Sequence, residues 1–257
     1  MQNQFSYFKS LHESQEPLLI ANVWNAQSTR VFEKLQFKAL ATSSAAVAET
    51  LGYPDGQQMS FEEYYSVVTH IVRTTTLPVS VDLEAGYGDT AEETVTNILQ
   101  LATAGVVGVN IEDSLIQNGK RSLVDAQQFA TRLQKIANGL KALNLSVFIN
   151  VRCDAFLLGV PSPVEEAKRR LSFYEATGIH GLFFPCITAL EDIQAMVQAT
   201  KLPVNVMCMP QLPGFTRLKQ AGVKRISMGN FVNQFLYNEL KKVGEKIIAQ
   251  SNFSSLF

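Results

Sequence analysis

Short runs of apolar and β-branched residues alternate along the chain with longer segments of helical periodicity. Most of each run is continuously apolar, which is typical of strands that are buried on both faces. We count eight runs, and each is followed by a segment that predicts a helix. The predicted strands are Leu18–Val23, Lys38–Thr42, Val79–Leu83, Val106–Ile111, Ser146–Val151, Gly181–Phe184, Val204–Met207 and Lys224–Met228.

Two of the helical segments carry clear end signals. In DTAEETVTNILQLATAG, Asp89 or Thr90 can cap the N-terminus, and Gly105 marks the C-terminus. In PSPVEEAKRRLSFYEATG, Ser162 is the predicted cap and Pro163 occupies the first helical position. Both segments are long enough to cross from one strand to the next.

Strands that are joined by helices predict a parallel sheet, because parallel neighbours need a crossover connection. Eight such units close into a (β/α)8 TIM barrel. The competing architecture, a doubly wound open sheet, normally has a glycine-rich phosphate loop after its first strand, and this chain reads VWNAQST there. We therefore predict one α/β barrel domain over residues 1–257, with a short N-terminal helical segment and a long C-terminal helix.

The composition excludes several classes of function. The chain has 257 residues, 46% of them hydrophobic, and a formal net charge of −1. It therefore lacks the basic field that collects nucleic acid or an anionic membrane surface. No stretch approaches the ~18 apolar residues that a membrane span requires. Three cysteines without CxxC spacing argue against disulfides, so we expect a soluble cytoplasmic protein without a signal peptide.

Acidic side chains gather where three of the predicted strands end. Asp82 and Glu84 close the third strand, Glu112 the fourth, and Arg152 follows the fifth. Active sites of (β/α)8 barrels lie at this edge, and strand alternation would put Asp82 and Glu84 on one face. Close carboxylates repel one another unless their pKa values rise or a cation lies among them. Oxygen ligands favour Mg²⁺ over Zn²⁺, so we predict Mg²⁺, with Mn²⁺ as an alternative.

These residues also have an ordinary structural interpretation. A single acid that ends a strand is more often a helix cap or a salt-bridge partner, whereas three acids with an arginine favour a site. The three histidines (His12, His70 and His180) lie away from the predicted strand ends. We expect Cys153, which follows the inward-pointing Arg152, to point outward and pack as a small apolar residue.

One segment of the predicted barrel resembles the isocitrate lyase/phosphoenolpyruvate mutase superfamily, in its short phosphonomutase-like branch. FKALATSSAAVAETLGYPD is similar to the family's second-strand segment, in which a serine and the amides after it bind a substrate carboxylate. The resemblance implies this role for Ser43, with the amides of Ser44 and Ala45. It also implies that Asp55 helps to hold the water shell of a metal ion.

Three further segments extend the resemblance, which runs from about Asn22 to Arg152. VSVDLEAGYGD is similar to the family's DxDxGYG stretch and implies Asp82 as the direct metal ligand, with Glu84 bound through water. VVGVNIEDS resembles the fourth-strand motif and implies Glu112 as a further ligand through water. NVRCDAF resembles the strand whose arginine grips the substrate carboxylate, here Arg152.

The resemblance implies a lyase-type enzyme that acts on a small α-oxo or α-hydroxy carboxylate through an enolate, as a C–C lyase, decarboxylase or hydrolase. Phosphonomutase-like C–P chemistry is one alternative, although Pro185 stands where the mutase-like branch often has a histidine. A non-catalytic protein that binds oxo acids is another. The family also implies a homotetramer, a dimer of dimers with the eighth helix exchanged, although a helix that packs on its own barrel shows the same periodicity.

The segment after the fourth strand departs from the family pattern. Lyases carry a K-(K/R)-C-G-H loop there, and mutase-type members a longer loop with Lys and Asn, whereas this chain reads SLIQNGKRSLVD. Its basic residues are Lys120 and Arg121, for which solvated loop cations are the more ordinary interpretation. Tyr87 or a metal-bound water is left as a proton donor. The catalytic candidates are therefore Arg152, Glu112, Tyr87 and Lys120.

Overall fold

Eight parallel strands form a closed barrel, which confirms the predicted (β/α)8 fold. A computed structural model describes residues 2–257, so Met1 of the predicted domain lies outside it. The barrel strands are β1 (Leu18–Val23), β2 (Leu40–Thr42), β3 (Val79–Asp82), β4 (Val106–Glu112), β7 (Phe148–Arg152), β8 (Gly181–Phe183), β9 (Val204–Met207) and β10 (Arg225–Ser227). They pair in this order, and β10 pairs back to β1.

Helices surround the barrel and also close its N-terminal end. They are α1 (Gln2–Glu13), α2 (Ala26–Lys34), α3 (Ser44–Leu51), α4 (Phe61–Thr74), α5 (Ala91–Ala104), α6 (Ala126–Ala142), α7 (Pro163–Tyr174), α8 (Leu190–Gln198), α9 (Phe215–Gln220) and α10 (Phe231–Gln250). Within residues 2–257, no helix is both long enough and apolar enough to cross a membrane.

The predicted end signals are confirmed at α5 and partly wrong at α7. Thr90 caps α5 in a reciprocal pair with Glu93, and Gly105 ends it in the left-handed region, at φ 111°. The helix α7 does begin at Pro163. Ser162, however, has φ 52° and makes no side-chain cap hydrogen bond, because this backbone does not aim its hydroxyl at the first-turn amides as an extended cap residue would.

The interior of the barrel is mainly apolar and aromatic at its N-terminal end, apart from the buried side chain of Arg225, and is polar above. Phe8 and His12 of α1 pack under the barrel, where the His12 ring stacks on Phe148 at 4.3 Å between centroids. Higher up, the Asn150 side chain donates to the Asn110 side chain at 2.9 Å and to that of Asn205 at 3.3 Å. The bottom is therefore plugged, and the interior opens only toward the C-terminal ends of the strands.

The segment SLIQNGKRSLVD is not the loop that we predicted. It forms a two-stranded antiparallel hairpin of β5 (Ser114–Gln117) and β6 (Lys120–Leu123). Asn118 and Gly119 make the turn, at φ 52° and 73°. Two consecutive positive φ angles fit the tight turn that Asn-Gly favours between right-twisted strands.

Candidate active site

A cavity of about 320 Å³ opens at the C-terminal mouth of the barrel. Most of the predicted carboxylate-binding and metal-binding residues line it, namely Ser43, Ser44, Ala45, Asp55, Asp82 and Arg152. Two basic residues without an assigned role, Arg121 and Arg225, line it as well. This is the edge at which (β/α)8 enzymes carry their chemistry.

Asp82 ends β3 and is held by its neighbours with one oxygen left over. Its backbone N–H donates to Thr42 Oγ1 at 2.9 Å, and Tyr64 donates to its carbonyl at 2.8 Å. Ser44 Oγ donates to Asp82 Oδ2 at 2.9 Å. Asp82 Oδ1 is buried and has no hydrogen-bond partner within residues 2–257. A buried carboxylate oxygen of this kind is costly unless a donor or a cation reaches it.

Glu84 lies beside Asp82, but strand alternation does not put it there. β3 stops at Asp82, and Glu84 adopts φ 50° in the turn that follows. Its Oε1 accepts from the Tyr87 hydroxyl at 3.2 Å, whereas Oε2 is buried without a partner in the described chain. Burial, reinforced by the charges of Asp55, Glu112 and Asp82, raises the pKa of Glu84 to about 8. A cation nearby would reverse this shift.

The first turn of α3 faces the same cavity. Ser43 is its N-cap and accepts from the Ala46 N–H at 3.3 Å. The first amides of a helix, here those of Ser44 and Ala45, have no partner inside the helix and carry the positive end of its dipole. Such an end is suited to a carboxylate.

Glu112 is tied to two arginines. Arg152 Nη1 lies 3.0 Å from its Oε2, and Arg121 Nη1 contacts its Oε1. Arg152 also donates from Nε to Asp154 Oδ1 at 2.6 Å. Burial raises the pKa of Glu112 to about 7, against the opposing effect of the two guanidinium groups. Glu112 therefore faces cationic side chains of the chain itself.

Arg121 is not a solvated loop cation, so the more ordinary interpretation of this residue is wrong. Only 13% of its side chain is exposed. Its Nη2 lies 3.4 Å from Asp55 Oδ2, and its Nη1 donates to Ser114 Oγ at 3.0 Å. The hairpin brings it in, because β6 folds back over β5 and carries Arg121 to the barrel mouth.

The donor set fits a magnesium ion with few direct protein ligands. Within residues 2–257, no three His, Cys, Asp or Glu side chains are close enough to hold one ion together, so Asp82, Glu84 and Glu112 do not form a shared ligand triad. The unpartnered oxygens of Asp82 and Glu84 remain suited to a hard cation that keeps most of its waters. The ligand roles that the resemblance implies for Asp82, Glu84, Glu112 and Asp55 stay predictions.

Of the four catalytic candidates, Arg152 lines the cavity, whereas Glu112, Lys120 and Tyr87 do not. Lys120 is exposed at the start of β6. Tyr87 has φ 51° and stacks on Tyr64 with 5.5 Å between ring centroids. Burial and the neighbouring charge of Glu84 raise the pKa of Tyr87, so its hydroxyl keeps its proton and serves as a donor to Glu84. Their catalytic roles stay predictions.

Several residues that shape the site were missed from the sequence. Asp113, one position after Glu112, is fully buried, and its Oδ1 accepts from the Asp154 N–H at 2.9 Å. Its Oδ2 accepts from Arg170 at 3.1 Å. Arg225, inside the barrel wall, is 1% exposed. A charged residue within a buried strand is the signal that could have found Arg225.

The comparisons with known proteins agree with this geometry. The profile of the phosphoenolpyruvate phosphomutase family matches residues 8–248. The chain belongs to the phosphoenolpyruvate phosphomutase family. This confirms the resemblance that the strand-end motifs indicate, and it extends that resemblance over nearly the whole chain.

The chain is similar to several individual proteins of known sequence or structure. It is 30% identical to an oxaloacetate decarboxylase of Ectopseudomonas mendocina (strain ymp), over 88% of this chain and 78% of that protein. A crystal structure from Burkholderia cenocepacia J2315, provisionally described as a phosphonomutase, is 35% identical with a TM-score of 0.88, over 95% of this chain and 99% of that one. A 2,3-dimethylmalate lyase shares the fold, with a TM-score of 0.86 at 19% identity, over 98% and 89% of the two chains.

Proposed function

We propose that the protein is a Mg²⁺-dependent lyase that cleaves a bond next to the carbonyl of a small α-oxo carboxylate, through an enolate. Mn²⁺ is an alternative ion. The observation that carries the proposal is the pair of buried oxygens on Asp82 and Glu84 that have no hydrogen-bond partner within residues 2–257. Asp82 lines the small cavity together with the N-terminal residues of α3. The relatives that are named oxaloacetate decarboxylase support decarboxylation as the reaction to test first.

Each part of the cavity has a task in this proposal. The Ser43 hydroxyl and the first amides of α3 would bind the carboxylate next to the carbonyl. Asp82 would hold the ion directly and Glu84 would hold it through water. A bound Mg²⁺ supplies Lewis-acid stabilisation of negative charge on the substrate oxygens, worth several kcal/mol.

Arg152 would orient the substrate by its charge. Asp154 grips Arg152 through both oxygens, with Nε to Oδ1 at 2.6 Å and Nη2 to Oδ2 at 3.2 Å. A guanidinium fixed in this way loses little freedom when a carboxylate binds to it. The charge-assisted contact contributes about 1.5–3 kcal/mol.

The decisive experiment follows the loss of oxaloacetate and the appearance of pyruvate with Mg²⁺, with Mn²⁺ and with excess chelator. Free Mg²⁺ and Mn²⁺ also decarboxylate oxaloacetate slowly, so the rate is taken as the difference from a sample without protein. We expect turnover with either ion and none with chelator. Full activity in chelator would reject the proposal.

Two matched variants compare the loss of a carboxylate charge at the proposed metal site with the same loss at an exposed position. Asp82→Asn removes the negative charge of the proposed direct ligand and keeps its shape, so we expect activity to fall by at least about 100-fold, in line with the several kcal/mol that a metal contributes. Asp89→Asn makes the same change at an exposed position of the same rim and should leave activity within about two-fold. Equal activity in both variants would contradict the assignment of Asp82.

Phosphonomutase-like C–P chemistry is the second candidate, favoured by the 35% identical structure that carries that description. It predicts interconversion of phosphonopyruvate and phosphoenolpyruvate, which ³¹P NMR detects directly. Stabilisation by oxalate with Mg²⁺, without turnover of any oxo acid, would instead support a protein that only binds the acid.

We further propose a cytoplasmic homotetramer, a dimer of dimers with α10 exchanged between neighbouring barrels. The supporting observation is the apolar surface of α10, on which Phe235 is 65% exposed, Leu240 61% and Ile248 81%. Apolar patches of this kind mark protein interfaces. Light scattering coupled to size-exclusion chromatography distinguishes a tetramer from a monomer, and a monomer would refute the exchange.

A further inference from the structure

Arg225 lies inside the barrel, and no carboxylate of residues 2–257 forms a salt bridge with it. It opens β10, where its backbone is in register with Leu18 of β1 and Asn205 of β9. It is among the largest fully buried side chains, at 1% exposure. Its Nε and Nη1 are buried and find no hydrogen-bond partner within residues 2–257.

The other enclosed arginines of this region are paired. Arg152 is bound by Asp154, Arg170 by Asp113 at 3.1 Å, and Arg121 contacts Glu112. For Arg225, burial lowers the pKa to about 10, with the more distant charge of Asp82 opposing the shift. The group therefore stays cationic at neutral pH, and a buried cation without a partner costs several kcal/mol unless an anion joins it.

The side chain of Arg225 borders the cavity that holds the proposed site. Ser227, two residues further along β10, lines the same cavity, and alternation puts both residues on the inner face of the barrel. Because Arg225 starts about 6–7 Å deeper than Ser227, it enters the cavity from the floor, whereas Asp82 and α3 border it at the mouth.

The cavity has room for a small acid. Its volume of about 320 Å³ corresponds to roughly ten water-sized groups at ~30 Å³ each. A four-carbon 2-oxo dicarboxylate has nine heavy atoms and fits within this limit.

We propose that Arg225 binds a second carboxylate of the ligand, so that the cavity selects small 2-oxo dicarboxylates over monocarboxylates. The inference rests on the proposed function and narrows its substrate class. An arginine is suited to this task, because its planar guanidinium presents paired donors to the two oxygens of a carboxylate.

The test compares oxaloacetate with pyruvate, and malonate with acetate, in wild type, Arg225→Gln and Arg225→Lys. Competition against turnover gives the affinity with Mg²⁺, and thermal shift in chelator gives anion binding without the ion. We expect Arg225→Gln to weaken binding of oxaloacetate and malonate by about 10- to 100-fold, the range of one charge-assisted contact. Pyruvate and acetate should change by less than about three-fold, and Arg225→Lys should restore part of the loss.

A purely structural role for Arg225 gives a different pattern. Removing an unpaired buried charge should leave the melting temperature of the ligand-free protein unchanged or raise it, whereas loss of a structural contact would lower it. Arg217→Gln, on the exposed face of α9, is the control and should behave as wild type in every assay.

Three outcomes would overturn the inference. These are an equal loss for dicarboxylates and monocarboxylates, a lower melting temperature with the malonate response intact, and no malonate response in the wild type. A different result would reject the proposed function alone. In that case the wild type binds malonate in chelator and loses this binding in Arg225→Gln, but it turns over no oxo acid with Mg²⁺. The two failures are therefore distinguishable.

Discussion

Arg170 and Asp113 form a buried ion pair next to the candidate site. We predict that removing one partner lowers the free energy of unfolding by several kcal/mol. Asp113 is fully buried, and Arg170 has only 4% of its side chain exposed. Asp113 Oδ2 accepts from Arg170 Nη1 at 3.1 Å and from the Tyr174 hydroxyl at 2.9 Å. Because Asp113 Oδ1 also accepts from the Asp154 N–H, the pair holds the backbone that positions Arg152.

The perturbation is Arg170→Met, which keeps an unbranched side chain but leaves Asp113 without its counter-charge. Burial already raises the pKa of Asp113, and Arg170 is the main group that lowers it. Removing one partner of a buried pair costs about 3–5 kcal/mol. Tyr174→Phe removes one hydrogen bond to the same carboxylate and should cost about 1.5–3 kcal/mol.

Arg169→Met is a matched control. Arg169 is the preceding residue of α7, is 50% exposed and contacts the same Glu166 at 2.8 Å that Arg170 contacts. An exposed pair contributes about 0–1 kcal/mol. Urea unfolding followed by circular dichroism gives the free energy of unfolding of each variant. A loss below about 1 kcal/mol for Arg170→Met, or a loss no larger than that of Arg169→Met, would refute the reasoning.

Three further predictions test other parts of the barrel. Burial lowers the pKa of His12 to about 3, against ~6.5 in the unfolded chain. The folded state therefore binds fewer protons, and stability should fall as the pH drops below about 6.5, by about 2 kcal/mol at pH 5; His12→Phe should remove this part of the pH dependence of urea unfolding. A thiol reagent should label exposed Cys208 first and Cys153, which is buried with a raised pKa, only on unfolding; mass spectrometry of the labelled peptides checks the order. Gly108→Ala should cost about 1–3 kcal/mol in urea unfolding, because a Cβ there would lie 3.0 Å from Phe8.

The barrel could be predicted from the sequence because its signal is repeated eight times. Each strand is a buried run between helices, and a misplaced boundary in one run does not change the number of strand–helix units. The ends were less certain. β2 begins at Leu40 and not at Lys38, and β3 stops at Asp82 and not at Leu83, because pairing with neighbouring strands decides where a strand ends.

The hairpin after β4 could have been predicted in part. The Asn-Gly pair at residues 118–119 is a strong signal for a two-residue turn. What local sequence does not show is the destination of Arg121. Its carboxylate neighbours Asp55, Glu112 and Asp154 come from three other parts of the chain, so its burial depends on where the hairpin docks.

The charges that stay unpaired are more informative than the pairs. Within residues 2–257, Asp82 and Glu84 keep buried oxygens without donors, and Arg225 keeps buried N–H groups without acceptors. Asp82 and Arg225 line the same cavity. Flexible side chains of opposite charge would approach each other and form a salt bridge. Here the barrel strands anchor them at different places, so neither end can satisfy the other. A divalent cation at the acidic end and a dicarboxylate that spans the cavity would satisfy both, which is why the metal and the substrate are expected to bind cooperatively.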